Sequence, residues 1–222
     1  MIDLSQDSLL REIDEDIRRE RYARLWKRFG GWIIAIAVAV LLGVAGYQFW
    51  QFRTQKQQQE ASARFAAAVA LATTDRAAAE RQFAAIAADG PAGFAVLAGL
   101  RQAALLAQNG DTQAAHGVYQ QVERKATDPF YRDLAVVREA MLALQDETVP
   151  IDAEAITDRL KPLSANGNPW RFTARELSAV LASRTGQTTE ARDVLSGLAN
   201  DQLAPSDMRE RARQLLAELG ER

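Results

Sequence analysis

Residues 93–119 read GFAVLAGLRQAALLAQNGDTQAAHGVY, and their pattern indicates the fold class of the chain. Alanine, leucine, arginine and glutamine are among the strongest helix formers, and they dominate the stretch up to Gln108. The tripeptide Asn109-Gly110-Asp111 then interrupts the helical pattern with residue types that favour turns. A second helical pattern follows and includes Tyr119. The stretch therefore predicts a helix, a tight turn and a second helix.

The same unit recurs along the chain at a regular interval. Four prolines are spaced 38, 40 and 36 residues apart, and each precedes a helical pattern, where the missing N–H is tolerated. These prolines are Pro91, Pro129, Pro169 and Pro205. A further break lies between each pair of neighbouring prolines, at residues 109–111, 146–150 and 185–187. A helix-turn-helix unit with a period in the upper thirties is typical of a helical solenoid.

The second helix of each unit carries the spacing of a tetratricopeptide repeat, in which a small residue is followed four residues later by a large one. Three units show this spacing: Ala79, Phe83 and Ile86; Ala115, Tyr119 and Val122; Ala191, Leu195 and Leu198. The third unit in chain order departs from it and offers Ile156, Leu160 and Leu163 instead. The sequence predicts an all-α protein with about four tetratricopeptide-like hairpins and a capping helix, Ser206–Leu219. An ordinary bundle of nine helices is the alternative.

A transmembrane helix is predicted ahead of the hairpins, over residues 30–52. These twenty-three residues contain no charged side chain, and about 20 apolar residues suffice to cross a bilayer. Aromatic residues lie near both ends, where they suit the depth of the headgroups. A cleaved signal peptide is the alternative, but the apolar run is longer than the 7–15 residues typical of such peptides. The segment is therefore interpreted as an anchor.

The flanking charges predict the orientation of this span. Six basic residues lie in the fifteen positions before Phe29, against three in the fifteen after Phe52. Because basic residues are enriched on the cytoplasmic side, we expect a cytoplasmic N-terminal amphipathic helix at 1–29 and a periplasmic domain at 53–222. The helix at 1–29 either binds a cytosolic partner or lies along anionic headgroups. Alternatively, it is a solvated juxtamembrane helix whose arginines only enforce the topology.

Small residues recur every four positions along one side of the span. This spacing lets another membrane helix pack closely, although alanine and glycine are also common in spans without such a role. The predicted packing residues are Gly31, Ala35, Ala39 and Gly43.

Composition argues against an enzyme and against a nucleic-acid binder. The formal net charge is −2, and no basic stripe is present to neutralise phosphates. The chain has no cysteine and one histidine, His116, which we expect at the surface, so the sequence offers no zinc site. It also lacks a G-x-S-x-G elbow and a glycine-rich phosphate loop. We therefore expect no catalysis, no cofactor and no small-molecule substrate.

Protein binding is the remaining chemistry. Stacked hairpins expose a concave face formed by the first helix of each pair, and its mixture of apolar and charged side chains suits extended or partly folded polypeptide. Alternatively, several of these residues fill the core between hairpins. The predicted face contains Arg64, Leu97, Leu100, Arg138, Leu142, Glu176 and Val180.

The order of these features resembles one bacterial family, the ancillary subunit of the Sec translocon. The resemblance is carried by the aromatic cluster GYQFW at 46–50, a linker EASAR at 60–64 that enters an alanine-rich helix, and the hairpin at 93–119. It implies a single-pass inner-membrane protein that contacts translocon subunits and hands emerging client polypeptides to periplasmic chaperones. The leader at 9–27 is longer and more charged than expected of that family. A non-catalytic scaffold for a cell-envelope or division complex is the alternative function.

Overall fold

The structure, a computed structural model, describes residues 4–145 and 152–220, with only the backbone described for residues 4–26, 29, 33 and 37. The described residues form helices and turns and contain no strand. The predicted turn at 146–150 and the apolar face of the N-terminal helix lie outside the described parts. The chain divides into two compact units, residues 1–57 and 58–222.

Helix α1 is one continuous helix, Leu4–Leu71. No proline occurs before Pro91, so nothing in this segment blocks the helical hydrogen-bond ladder. The predicted linker at 60–64 is therefore wrong, because these residues continue α1. From Gly30 onward the helix is long and apolar enough to cross a membrane, with a mean hydropathy of 2.1 in its most apolar stretch.

Eight further α-helices follow α1 in the described part of the chain. Three of them begin at an aspartate whose carboxylate accepts a hydrogen bond from a backbone N–H of the first turn, which is a stabilising cap. The helices are α2 Arg76–Asp89, α3 Ala92–Gln108, α4 Thr112–Lys125, α5 Pro129–Gln145, α6 Ala153–Leu160, α7 Arg171–Arg184, α8 Thr188–Asn200 and α9 Ser206–Gly220. A short 3-10 helix, Pro162–Ser164, follows α6.

The helices of the second unit form four hairpins and a capping helix, as the sequence predicts. The end of α1 pairs with α2, α3 with α4, α5 with α6 and α7 with α8, while α9 covers the last pair. We call the first helix of each hairpin an A helix and the second a B helix. Successive A helices touch, because α3 contacts α5 and α5 contacts α7.

The tetratricopeptide register predicted for the B helices is confirmed by burial. Every residue of the three regular triplets is buried, and the small residue of each triplet is fully enclosed. On α6, Ile156 and Leu160 are also buried, but Leu163 lies in the 3-10 helix, because Pro162 lacks the N–H needed to continue α6. A β-carbon on Gly99 would lie 2.6 Å from Val122 Cγ2, so α3 and α4 are in close contact.

Ala115→Leu should destabilise the helical domain by about 1 to 3 kcal/mol, because Ala115 has no exposed surface and the added atoms overpack the core. Ala85→Leu, at an exposed position on α2, is the matched control and should have little effect. Chemical denaturation followed by circular dichroism measures both. Equal losses from the two substitutions would contradict the register.

Candidate protein-binding surface

An exposed stripe with a repeated sequence runs along α3 and α5. On α3 it contains Leu97, Arg101 and Gln108, and on α5 it contains Leu134, Arg138 and Gln145. The same three residue types recur thirty-seven positions later, which is one hairpin repeat. Spacings of four and seven residues keep each triplet on one side of its helix. The arginines and glutamines are exposed and the leucines half-buried. We call these six residues the A-helix face.

Two of the predicted binding residues, Leu97 and Arg138, belong to the A-helix face. Two others lie beside it in the core between α3 and α5. Leu142 is 5% exposed and packs in a cluster with Ala103 and Tyr119, and Leu100 packs against the same cluster. These two leucines hold successive A helices together, so we leave them out of the proposed contact surface.

The predicted residues on α7 lie next to the capping helix. Glu176 accepts two hydrogen bonds from the Arg211 guanidinium, at 2.8 and 3.1 Å, and this pair joins α7 to α9. Val180 is half-buried and lines a cavity of about 290 Å³ together with Leu215 of α9. The charge of Glu176 is therefore already matched within the protein.

Arg64, the predicted residue on α1, makes a solvent-exposed ion pair. One of its guanidinium nitrogens lies 3.3 Å from a carboxylate oxygen of Asp89, at the end of α2. Both side chains are at least half exposed. Such a pair contributes little to stability and leaves Arg64 available to an acidic partner.

A buried charged cluster between α4, α5 and α6 was not predicted. Its centre is Glu139 of α5, which has no exposed surface. One carboxylate oxygen lies 2.7 Å from His116 Nδ1 and accepts a hydrogen bond of 3.0 Å from Gln120, and the other lies 2.6 Å from Arg159. Arg159 also donates to Glu123 at 2.6 Å. The cluster thus ties α5 to α4 and α6.

The prediction that His116 lies on the surface is wrong. Its side chain is 17% exposed and faces the buried carboxylate. Burial alone would raise the pKa of Glu139. The interactions of its carboxylate with His116, Arg159 and Gln120 outweigh this effect of burial, so the pKa lies below its ordinary value. Glu139 is therefore ionised in the folded protein.

Acid should destabilise the native chain more than a Glu139→Gln variant. Because folding lowers the pKa of Glu139, its ionisation contributes stability that is fully present above the ordinary pKa of 4.5 and is lost as the pH falls through the folded value. The free energy of unfolding, measured by denaturant titration from neutral pH downward, should decline less steeply below pH 4.5 in the variant. Parallel declines would contradict an ionised Glu139.

The small residues predicted to pack in the membrane share an exposed side of α1. Gly31, Ala35, Ala39 and Gly43 are all exposed, and a β-carbon added at either glycine meets no other atom within 4 Å. This side is open to a neighbouring helix, and the packing role stays a prediction. Arg53 ends the apolar segment, with its guanidinium 5.1 Å from the centre of the Phe49 ring.

Besides Gln108, Leu134 and Gln145, the sequence analysis misses Arg101 of the A-helix face. Its signal is the repeat itself, since Arg101 and Arg138 occupy the same position in successive units. An alignment of the two hairpins by their thirty-seven-residue offset finds it.

Comparison with known families agrees with this architecture. The profile of a family described as a tetratricopeptide repeat-like domain matches residues 23–216, which is most of the chain. The match begins within α1 and extends into α9. No curated protein and no solved structure shows significant similarity to the chain.

Proposed function

Because the chain belongs to the tetratricopeptide repeat-like domain family, we propose that it is a membrane-anchored protein-interaction module of the Sec translocon. In this role it links emerging secreted chains to periplasmic chaperones. Domains of this family generally mediate protein interactions and are typically non-catalytic scaffolds. Membership of this family by itself suggests a protein-interaction module.

The observation that carries the proposal is the A-helix face. It offers half-buried leucines beside exposed arginines and glutamines on two A helices that touch. Leucine side chains supply apolar contact, arginines pair with carboxylates, and glutamines can donate to or accept from a peptide backbone. These are the groups needed to hold a polypeptide, and their repetition suits an extended one.

The proposed topology places residues 1–29 in the cytoplasm, 30–52 in the inner membrane and 53–222 in the periplasm. Support comes from the apolar part of α1 and from the excess of basic residues before it. The absence of cysteine suits an oxidising compartment. With this topology the hairpins meet secreted chains on the side where they emerge.

The translocon is proposed as the membrane partner for two reasons. The sequence resembles the ancillary translocon subunit in the order of its aromatic cluster, its alanine-rich segment and its hairpin. In addition, the exposed small residues of α1 leave room for a second membrane helix to approach closely. Close approach increases the dispersion contacts that drive helix association in a membrane.

Affinity purification from solubilised membranes after crosslinking in intact cells tests the proposed partners. Translocon subunits, periplasmic chaperones and secreted chains should be enriched. A variant with Leu97→Asp and Leu134→Asp is the matched control, since it should keep the translocon contact and lose the soluble partners. Recovery of division or cell-wall proteins without translocon subunits would instead support an envelope scaffold.

Cysteine labelling tests the topology, since the chain has no native cysteine. Ser206→Cys, at the start of α9, should react with a membrane-impermeant maleimide on intact spheroplasts, whereas Ser5→Cys should react only after lysis. The reverse pattern would overturn the proposed orientation.

A further inference from the structure

Charge is unevenly distributed between the helices of the second unit. The A helices α3, α5 and α7 together contain six arginines and three acidic residues, although the chain as a whole has a net charge of −2. All three acidic residues already have protein partners. Asp133 accepts a hydrogen bond of 2.8 Å from Asn168, Glu139 lies in the buried cluster, and Glu176 is held by Arg211.

Most arginines of these three helices also have partners. Arg132 and Arg175 donate to backbone carbonyls, Arg171 lies 4.2 Å from the centre of the Phe172 ring, and Arg184 makes an interaction of its own. Arg101 and Arg138 differ, because within the described parts of the chain neither forms an ion pair or a hydrogen bond. Both are exposed. Two unpaired cations therefore stand at equivalent positions on neighbouring helices.

We propose that Arg101 and Arg138 bind two carboxylates of an acidic, extended polypeptide segment. Leu97 and Leu134, each one helical turn before its arginine, contact apolar side chains of the same segment. This inference rests on the proposed function, since it names the kind of polypeptide that the A-helix face recognises. The carboxylates of these A helices are already paired, so Arg101 and Arg138 keep an unmatched positive charge. Charge complementarity therefore favours an acidic polypeptide.

The spacing of the helices suggests the spacing of the acidic residues. Packed helices lie about 8 to 10 Å apart, so equivalent positions on α3 and α5 recur at roughly that distance. A polyproline II segment advances about 3.1 Å per residue and returns to the same side every three residues, which is about 9 Å. Acidic side chains three residues apart on an extended segment thus match Arg101 and Arg138. Gln108 and Gln145 are placed to bond the backbone of a longer segment.

Fluorescence anisotropy with the full-length chain in nanodiscs tests this proposal. The probe is a labelled peptide of repeated Glu-Leu-Pro triplets, and its control has glutamine in place of each glutamate. The acidic peptide should bind more tightly than the control, and added salt should weaken the binding because exposed charges are screened.

The double substitution Arg101→Gln with Arg138→Gln should weaken binding of the acidic peptide by about tenfold or more. The matched control is Arg81→Gln with Arg124→Gln, which removes two exposed arginines from the B helices α2 and α4 and should change little. Circular dichroism checks that both variants stay folded, as expected for exposed positions. Equal losses in the two variants would show non-specific charge attraction and overturn the proposal.

The remaining outcomes separate this inference from the proposed function. Equal binding of the two peptides, unaffected by the arginine substitutions but lost in the variant with Leu97→Asp and Leu134→Asp, keeps the protein-binding function and overturns the acidic specificity. Failure of the acidic peptide to bind the native chain also overturns the inference. The proposed function itself fails if crosslinking in intact cells recovers neither translocon subunits nor secreted chains, which is a measurement separate from peptide binding.

Discussion

Replacing Glu139 with leucine should lower the free energy of unfolding by about 1.5 to 3 kcal/mol, because buried hydrogen-bonding groups lose a charged partner. The substitution removes the buried carboxylate oxygen that lies 2.6 Å from Arg159, which then keeps Glu123 as its carboxylate partner. Gln120 loses its acceptor at the same time, and His116 loses the carboxylate oxygen that lies 2.7 Å from its Nδ1. Denaturant titration of the detergent-solubilised chain, followed by circular dichroism, measures the loss.

A double substitution tests whether the loss of stability comes from an unmatched charge or from altered packing. Leucine at both 139 and 159 removes the two charges together, and a buried ion pair replaced by apolar residues is often close to neutral in stability. Glu123 then keeps access to water, because its side chain is 23% exposed. The double variant should therefore be more stable than Glu139→Leu alone. A single variant as stable as the native chain would show that Glu139 is not held in a buried cluster.

Val38→Arg should reduce the amount of the chain in the membrane. An arginine at the centre of a span costs about 3 kcal/mol on the insertion scale, which is comparable to the whole favourable contribution of a moderately apolar span. Val38 lies within the apolar part of α1 and is 48% exposed in the isolated chain. Membrane fractionation and blotting of cells expressing the variant measure the effect.

Val69→Arg is the matched control for the anchor. It introduces the same side chain into the same helix, at a position that is 43% exposed and lies in the second unit. There the guanidinium can remain in water, so the membrane fraction should be unchanged. Equal yields of Val38→Arg and the native chain in the membrane would rule out the proposed span.

Local sequence rules were sufficient to predict the helical hairpins. Alanine followed by a large side chain four residues later is typical of the site where two helices of a hairpin cross. Ala79 and Phe83 show this spacing and are both buried, although the repeat is degenerate. Turns were equally readable, since Gly110 and Gly186 adopt the positive φ angles that glycine accepts without strain. The helix that is long and apolar enough to cross a membrane followed from length and composition alone.

The buried cluster could not be predicted in this way. Glu139 reads as an ordinary charged residue of an amphipathic helix, and its burial depends on side chains from α4 and α6 that are distant in sequence. His116 stands between Ala115 and Gly117, two small residues that give no sign of a charged partner. Only the packing of three helices brings the histidine, the glutamate and Arg159 together.

Part of the predicted binding face lies in the core and not at the surface. Leu142 follows Arg138 by four residues, and at 3.6 residues per turn it lies about 40° further round the helix. That rotation is enough to move a side chain from solvent into the groove between α3 and α5, where Leu142 is found. Residue spacing alone does not define the edge of a face this narrow.

Site-specific photocrosslinking in intact cells tests most directly whether the A-helix face binds polypeptide. A photoreactive amino acid is placed at Leu97 or Leu134 on the face and, as a control, at Ala85 on the exposed side of α2. After irradiation, the two positions on the face should give adducts with other polypeptides and Ala85 should give few or none. Adducts that form equally at all three positions, or only at Ala85, would contradict a binding role for this face.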